Sequence, residues 1–308
     1  MAISSPVESE ITRQFVELDG RRVSYLTAGD SAAAPAILLI HGSGVSAGSW
    51  VNQLRGLLTA FRVAAIDLPG HGKSDPIPRA SVEEYAETVA MFLEALGSGP
   101  VLVVGHSLGG AIAIALAAQR PHVVTGLVLL ASCAKLPWVD SSWGRLLPYL
   151  PGPLWKTFFI STAQKLLFAR GVPGHAVSLG MQELRSCRAE TILKDLQAAK
   201  AMDLTQQATG LDVPTLILCG SQDRLTPPAL SADLKGLIPG SRLTLVEGAG
   251  HMLLLEVPTR VNEEVLNFAK SLMVEVPSLR VVRDRQGRSL VRQLFDYARA
   301  FVPFLTSQ

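Results

Sequence analysis

The chain has 308 residues, 48% hydrophobic and 18% charged, with a formal net charge of +2 and a mean hydropathy of +0.30. That is ample material for a buried core. So small a net charge, with no basic run interleaved with aromatics, argues against nucleic acid as a partner. Cys133, Cys187 and Cys219 are an odd number at wide spacing, with no zinc-ligand pattern, and suit the reduced, buried thiols of a cytoplasmic protein.

The first ten residues lack the basic and apolar regions of a signal peptide. The longest apolar runs, such as Ala111 to Ala118, fall well short of the ~20 residues that span a bilayer. The expected protein is therefore soluble, with membrane contact disfavoured.

The stretches beginning at Phe15 and Arg22 flank Asp19-Gly20, a two-residue hairpin signal. Ala36 to Ile40 is a continuous apolar run, as expected of a strand covered on both faces, and it ends in His41-Gly42-Ser43-Gly44. A helix is predicted around Gln53 to Thr59, then a strand from Arg62 to Ile66 that ends in the turn-rich Asp67 to Ser74. Val82 to Leu96 has helical periodicity and stops at Gly97, a residue suited to the position just past a helix. Strands at 101–105 and 126–131 follow, separated by an Ala/Gly-rich helix.

From Lys135 to Thr205 the rhythm changes. This stretch is rich in proline, holds three of the four tryptophans, and shows helical but no strand pattern. Alternation resumes with a strand at Thr215 to Cys219, a helix at Pro228 to Leu237, a strand at Arg242 to Val246 and a helix at Thr259 to Leu272. Strands alternating with helices imply a mostly parallel α/β sheet with right-handed crossovers. The expected division is a core at 1–134 and 206–272, a helical insertion at 135–205, and an extension at 273–308. That extension places Leu290, Leu294, Phe295, Ala298 and Phe301 along one helical face. It reads as a helix packed on the domain or on a second subunit; an interfacial membrane helix, with Arg288, Arg292 and Arg299 on its polar side, is the other reading.

Chemistry concentrates at Gly105-His106-Ser107-Leu108-Gly109, a Gly-X-Ser-X-Gly sequence between a strand and a helix. Glycines at both flanks allow the sharp reversal that leaves a serine hydroxyl standing clear. A serine needs a general base, and that base needs an orienting carboxylate. Asp223 and His251 each follow a predicted strand, and strand C-termini of a parallel sheet face one crevice, so Ser107, Asp223 and His251 can converge there. Asp223 also suits a turn or a helix cap before Pro227, and His251 a packed loop. The oxyanion donors are expected to be the backbone N–H groups of Leu108 and Ser43. His71 falls in a turn read as structural, His106 is expected to point away from the Ser107 hydroxyl, and Glu256 reads as a structural residue flanking the His251 loop. No metal site and no nucleotide-binding loop is found.

Together, His41-Gly42, Asp67-Leu-Pro-Gly-His-Gly-Lys-Ser74, Gly105 to Gly110, Gly220 to Asp223 and Gly250-His251 resemble, in order, the motifs of the α/β-hydrolase superfamily. The resemblance implies an eight-stranded, mostly parallel sheet with a helical cap at 135–205 and a cofactor-free serine hydrolase. A serine at position 107 separates the chain from relatives that use aspartate there. The expected activity is cleavage of a small-molecule carboxylic ester with an apolar portion, and a homo-oligomer fits equally well. The loop His41 to Gly44 also resembles that of meta-cleavage-product C–C hydrolases, with Arg185 or Arg188 as a cap cation for a carboxylate substrate. Met252, where those enzymes carry tryptophan, departs from that pattern. A C–C or lactone hydrolase using the same triad and a non-catalytic hydrolase-fold receptor are the alternatives. The cap residues Trp138, Trp143, Trp155, Phe158, Phe159, Leu166, Leu167 and Phe168 suggest an apolar acyl pocket, with cap core packing as their ordinary use.

Overall fold

The computed structural model describes residues 11–29, 36–136, 160 and 162–274. Eight strands form one sheet in the order β1-β2-β4-β3-β5-β6-β7-β8. β1 (Thr12–Leu18) and β2 (Arg21–Ala28) are joined by the Asp19-Gly20 turn, where φ is 48° and 70° as an Asp-Gly hairpin turn requires. They are antiparallel to each other, and β2 is antiparallel to β4 (Val63–Ile66). β3 (Ile37–Ile40), β4, β5 (Val101–His106), β6 (Val124–Leu130), β7 (Thr215–Gly220) and β8 (Arg242–Val246) pair in parallel.

The unbroken apolar runs have a simple cause. Successive side chains of a strand point to opposite faces. Leu38 and Ile40 enter the core on one side of the sheet, while Ile37 and Leu39 enter the core on the other. The first core is closed by α2 (Val82–Ala95) and α3 (Leu108–Gln119). The second is closed by α1 (Val51–Leu57) and the C-terminal helix whose described part ends at Val274. α2 starts where the Ser81 hydroxyl accepts the Glu84 N–H at 3.1 Å, and it stops before Gly97, φ 60°. α3 is apolar on every side and buried from Leu108 to Ala117, as befits a helix enclosed by sheet and neighbours.

Between β6 and β7 the described residues contain helices and no strand. These include α4 (Gly174–Ser186), α5 (Ala189–Ala201) and the short α6 (Thr205–Thr209). After β7 come α7 (Pro228–Leu237), then β8, the single turn α8 (Leu253–Glu256) and α9 (Pro258–Val274). Of the residues expected to line an apolar pocket, Trp138, Trp143, Trp155, Phe158 and Phe159 lie outside the described residues, as does the extension beyond 274. Among the described residues no helix is long and apolar enough to cross a membrane. The three cysteines are buried and unbridged, and burial pushes the Cys133 and Cys219 thiols up to about 12 and about 11.

Candidate active site

Ser107 stands between β5 and α3 with φ 53° and ψ −118°, a conformation that an L-residue adopts only when its surroundings impose it. The two flanking glycines are what make room. A Cβ on Gly105 would lie 2.4 Å from the Gly109 carbonyl oxygen, and one on Gly109 would lie 2.2 Å from the Ile40 carbonyl oxygen. Both obstacles are backbone, so no rotamer change relieves them. The Ser107 carbonyl accepts from Gly110 N–H at 2.9 Å and from the Ser132 hydroxyl at 2.9 Å, and Ser107 N–H donates to Leu130 at 2.8 Å. The hydroxyl-bearing residue is thus fixed by its own backbone.

Asp223 lies in the loop that leaves β7, and His251 in the loop that leaves β8. His251 Nδ1 is 2.9 Å from Asp223 Oδ2, with both side chains buried. The other carboxylate oxygen accepts the Leu225 and Thr226 N–H groups at 2.8 and 2.9 Å. Asp223 therefore serves both uses open to it in the sequence: one oxygen organises the turn before α7, and the other meets the imidazole. Burial works to raise the Asp223 pKa, but the His251 charge and hydrogen bond, together with Thr226, outweigh it and hold the carboxyl below the usual range.

Thr226 was not legible as a site residue. Its hydroxyl lies 2.8 Å from Asp223 Oδ2, 3.1 Å from His251 Nδ1 and 3.0 Å from the Ala131 carbonyl. A threonine three residues after an aspartate reads as ordinary turn chemistry. Only the approach of the His251 loop makes it part of the pair.

The His251 loop is held from two sides. His251 N–H and Met252 N–H both donate to the Leu167 carbonyl, at 3.0 and 3.1 Å. The Glu256 carboxylate accepts Gly250 N–H at 2.8 Å, Met252 N–H at 3.0 Å and Ala169 N–H at 3.2 Å. Glu256 thus clamps both neighbours of His251 and pins the insertion to the loop. Burial raises its pKa against the three N–H groups that favour the anion.

Ser107, His251, Thr226, Ser43 and Leu108 line one cavity of about 110 Å³. Most of its other walls are apolar, among them Leu136, Leu167, Leu184, Leu196 and Met202. Of the expected pocket residues, Leu167 lines it, Leu166 is exposed and Phe168 faces a different hollow. Arg185 and Arg188 do not line it; Arg188 instead donates to the Gly70 carbonyl at 2.9 Å. A helical pattern carries no information on which turn of a helix will overhang a cavity, so sequence could not place either arginine. His106, expected to point away from the Ser107 hydroxyl, turns to the His251 backbone. It lines the cavity, with its ring 4.9 Å from that of His251 and its Nε2 3.0 Å from the His251 carbonyl. Burial pulls its pKa down to about 3, so it is neutral.

The loop after β3 carries the second expected oxyanion donor. His41 Nδ1–H donates to the Gly42 carbonyl at 2.8 Å, and His41 Nε2 accepts Leu68 N–H at 3.0 Å. The Gly42–Ser43 peptide is trans, so its N–H points opposite to the carbonyl that His41 holds. The Asp67 turn is structural: Asp67 takes Arg13, Ala47 N–H and Lys73 N–H, at 2.6, 2.8 and 3.1 Å. Among the described residues no cluster of histidine, cysteine and acidic side chains could hold a metal ion.

Comparison with known proteins gives a consistent picture. A family model described as alpha/beta hydrolase fold matches residues 35–258. A pimeloyl-[acyl-carrier protein] methyl ester esterase of Neisseria meningitidis is 31% identical over 229 residues, covering 71% of this chain and 87% of the relative. Among solved structures, a thermophilic esterase is 32% identical with a TM-score of 0.70, covering 85% of this chain and 99% of that one. An enol-lactonase from Burkholderia xenovorans has a TM-score of 0.77 at 22% identity, covering 83% of this chain and all of its own, a likeness of fold alone.

Proposed function

The chain belongs to the α/β-hydrolase family, and on that premise we propose that it is a serine hydrolase cleaving a carboxylic ester through an acyl-enzyme. The observation that carries this reading is the His251–Asp223 pair opening onto the same cavity as Ser107. With Nδ1 engaged by Asp223, Nε2 is the ring nitrogen left to take the Ser107 proton. Ser107 Oγ then attacks the ester carbonyl carbon, and the N–H groups of Ser43 and Leu108 receive the oxyanion. The N–H of Leu108 also lies at the start of α3, where the helix dipole favours negative charge. Collapse expels the alcohol, which takes the proton from His251. Water, deprotonated by His251, attacks the acyl-serine and releases the acid.

The cavity supports a substrate with an uncharged, apolar portion. No lysine or arginine is among its described lining residues to pair with an anionic acid. Together with Met252 after His251, this weighs against the C–C hydrolase reading with its carboxylate substrate. The ester bond is also what the Neisseria relative's name specifies.

The test is a fluorophosphonate probe followed by peptide mapping, alongside p-nitrophenyl esters of increasing acyl length and a vinylogous 1,5-diketone acid. Adduct on Ser107 with turnover of the esters and not of the diketone is expected. Adduct on another residue, or binding without turnover, defeats the proposal.

A further inference from the structure

Asp195 is a buried carboxylate that the proposed reaction does not use directly. It sits on α5 of the insertion, yet the groups that hold it come from the other part of the molecule. His71 Nε2 lies 2.9 Å from Oδ2 and the Tyr85 hydroxyl donates to Oδ1 at 2.8 Å, while the Ser43 side chain shares the cavity wall with the same carboxylate and helps to hold its pKa low. Of these four side chains, Ser43 and Asp195 line the cavity that holds Ser107 and His251.

The network has two arms, and both end on one peptide. The first is the shorter, from the Asp195 carboxylate to the Ser43 side chain beside it in the cavity wall. The second runs through packing: the His71 ring meets the His41 ring edge-on at 4.8 Å, and His41 grips the Gly42 carbonyl. The Gly42–Ser43 peptide is therefore held at its carbonyl by one arm and beside its N–H by the other. That N–H is the oxyanion donor assigned above, so this inference rests on the hydrolase reading.

We propose that Asp195 is a positioning residue for catalysis: it reaches down from the insertion to orient the Gly42–Ser43 peptide toward the oxyanion. The ion pair with His71 keeps the carboxylate anionic. Burial alone would raise the Asp195 pKa, but the charge and hydrogen bond of His71, with Ser43 and Tyr85, hold it low. Burial likewise works against the His71 cation, and Asp195 outweighs it.

The experiment compares wild type, Asp195→Asn, Ser43→Ala and the double variant, using one p-nitrophenyl ester and the rate of fluorophosphonate labelling at Ser107. Asp195→Asn keeps the shape and loses the charge. It should lower kcat about 10- to 100-fold with little change in KM, as expected when a catalytic group is misplaced by ångström-scale shifts. The labelling rate should fall in parallel, since that reaction also develops charge on an oxygen in the hole. Ser43→Ala leaves the backbone N–H and the His71 and Tyr85 contacts in place, and should lower kcat less, in the same direction. The double variant should be no worse than Asp195→Asn, because both changes cut one arm.

A purely structural fastening would lower the melting temperature and leave kcat of the folded fraction unchanged, and that result overturns the proposal. Fully additive losses overturn it too. Should Asp195→Asn fail to fold, a folded Ser43→Ala with undiminished kcat still overturns it. If wild type itself is neither labelled nor active, the hydrolase reading falls and takes this inference with it. A labelled, active wild type with unaffected variants sinks only the inference.

Discussion

Two buried histidine–carboxylate pairs in this molecule share the same 2.9 Å separation, His251–Asp223 at the strand ends and His71–Asp195 between core and insertion. They differ in what the second ring nitrogen faces. His71 Nδ1 lies 3.2 Å from the Pro69 carbonyl, so both of its nitrogens face oxygen acceptors and neither opens onto the cavity. His251 turns Nδ1 to a carboxylate, and its ring opens onto a cavity shared with a serine. A carboxylate beside an imidazole is thus, in the proposed mechanism, a positioning device in one place and a partner in proton transfer in the other. Distance does not separate the two; what the remaining nitrogen faces does.

The sharpest way to break that contrast is to remove the serine. Ser107→Ala should lower ester turnover by about 10⁴-fold or more while leaving the circular dichroism spectrum and melting temperature in place, and Asp223→Asn should approach the same loss. His71→Ala should act first on stability, with a smaller loss of turnover. It strands the buried Asp195 charge at a cost of about 3–5 kcal/mol, read from the shift in denaturant midpoint. If the two substitutions exchange these signatures, the roles assigned to the pairs are exchanged as well.

Titration sharpens the comparison further. Burial, aided by the nearby charge of His71 for His41 and of His251 for His106, pulls these two rings down to about 4 and about 3. Unfolded histidines titrate near ~6.5, so between that value and each folded value the unfolded chain binds more protons and stability is lost as pH falls. Each ring should contribute on the order of a few kcal/mol to that acid loss. His71 acts with opposite sign: its pKa is raised, so its contribution is present below the unfolded histidine value and is lost as pH rises through the folded one. The Asp195 contribution is present above the unfolded carboxyl value and is lost as pH falls through its lowered folded one. Thermal unfolding midpoints from pH 3 to 9 should therefore fall steeply on the acid side, and His106→Gln should remove part of that slope. An unchanged slope in that variant means that His106 is already charged in the folded protein.

The smallest expected effect is at Thr226. Thr226→Val removes the hydroxyl shared by Asp223, His251 and the Ala131 carbonyl, and should reduce kcat about 10-fold, the scale of one buried hydrogen bond. Stability should change little, because Asp223 keeps its two backbone N–H partners. A loss as large as that of Asp223→Asn would make Thr226 an equal member of the pair.

Much of the fold was legible because its signals are local. The Asp19-Gly20 hairpin, the strand runs and the end of α2 at Gly97 all fall where the pattern placed them. Asp223 and His251 could be singled out because each directly follows a strand, and parallel strands end on one side. Asp195 could not. It lies 124 residues from His71 in an amphipathic helix, where an acidic side chain reads as solvated. Arg185 and Arg188 erred in the other direction, since cations on the insertion suggested contact with substrate and neither lines the cavity.

By itself, the amino-acid order determined where the chain turns, which faces of each strand and helix turn apolar, and where a serine could be held between strand and helix. These follow from sterics and from burial of neighbours a few bonds apart. Tertiary structure alone decided which distant carboxylate meets which imidazole, that Thr226 joins one pair, and that Ser43 shares a cavity wall with a residue of the insertion. The strength of such contacts depends on separation in space and on how completely water is excluded, and neither quantity is written along the chain.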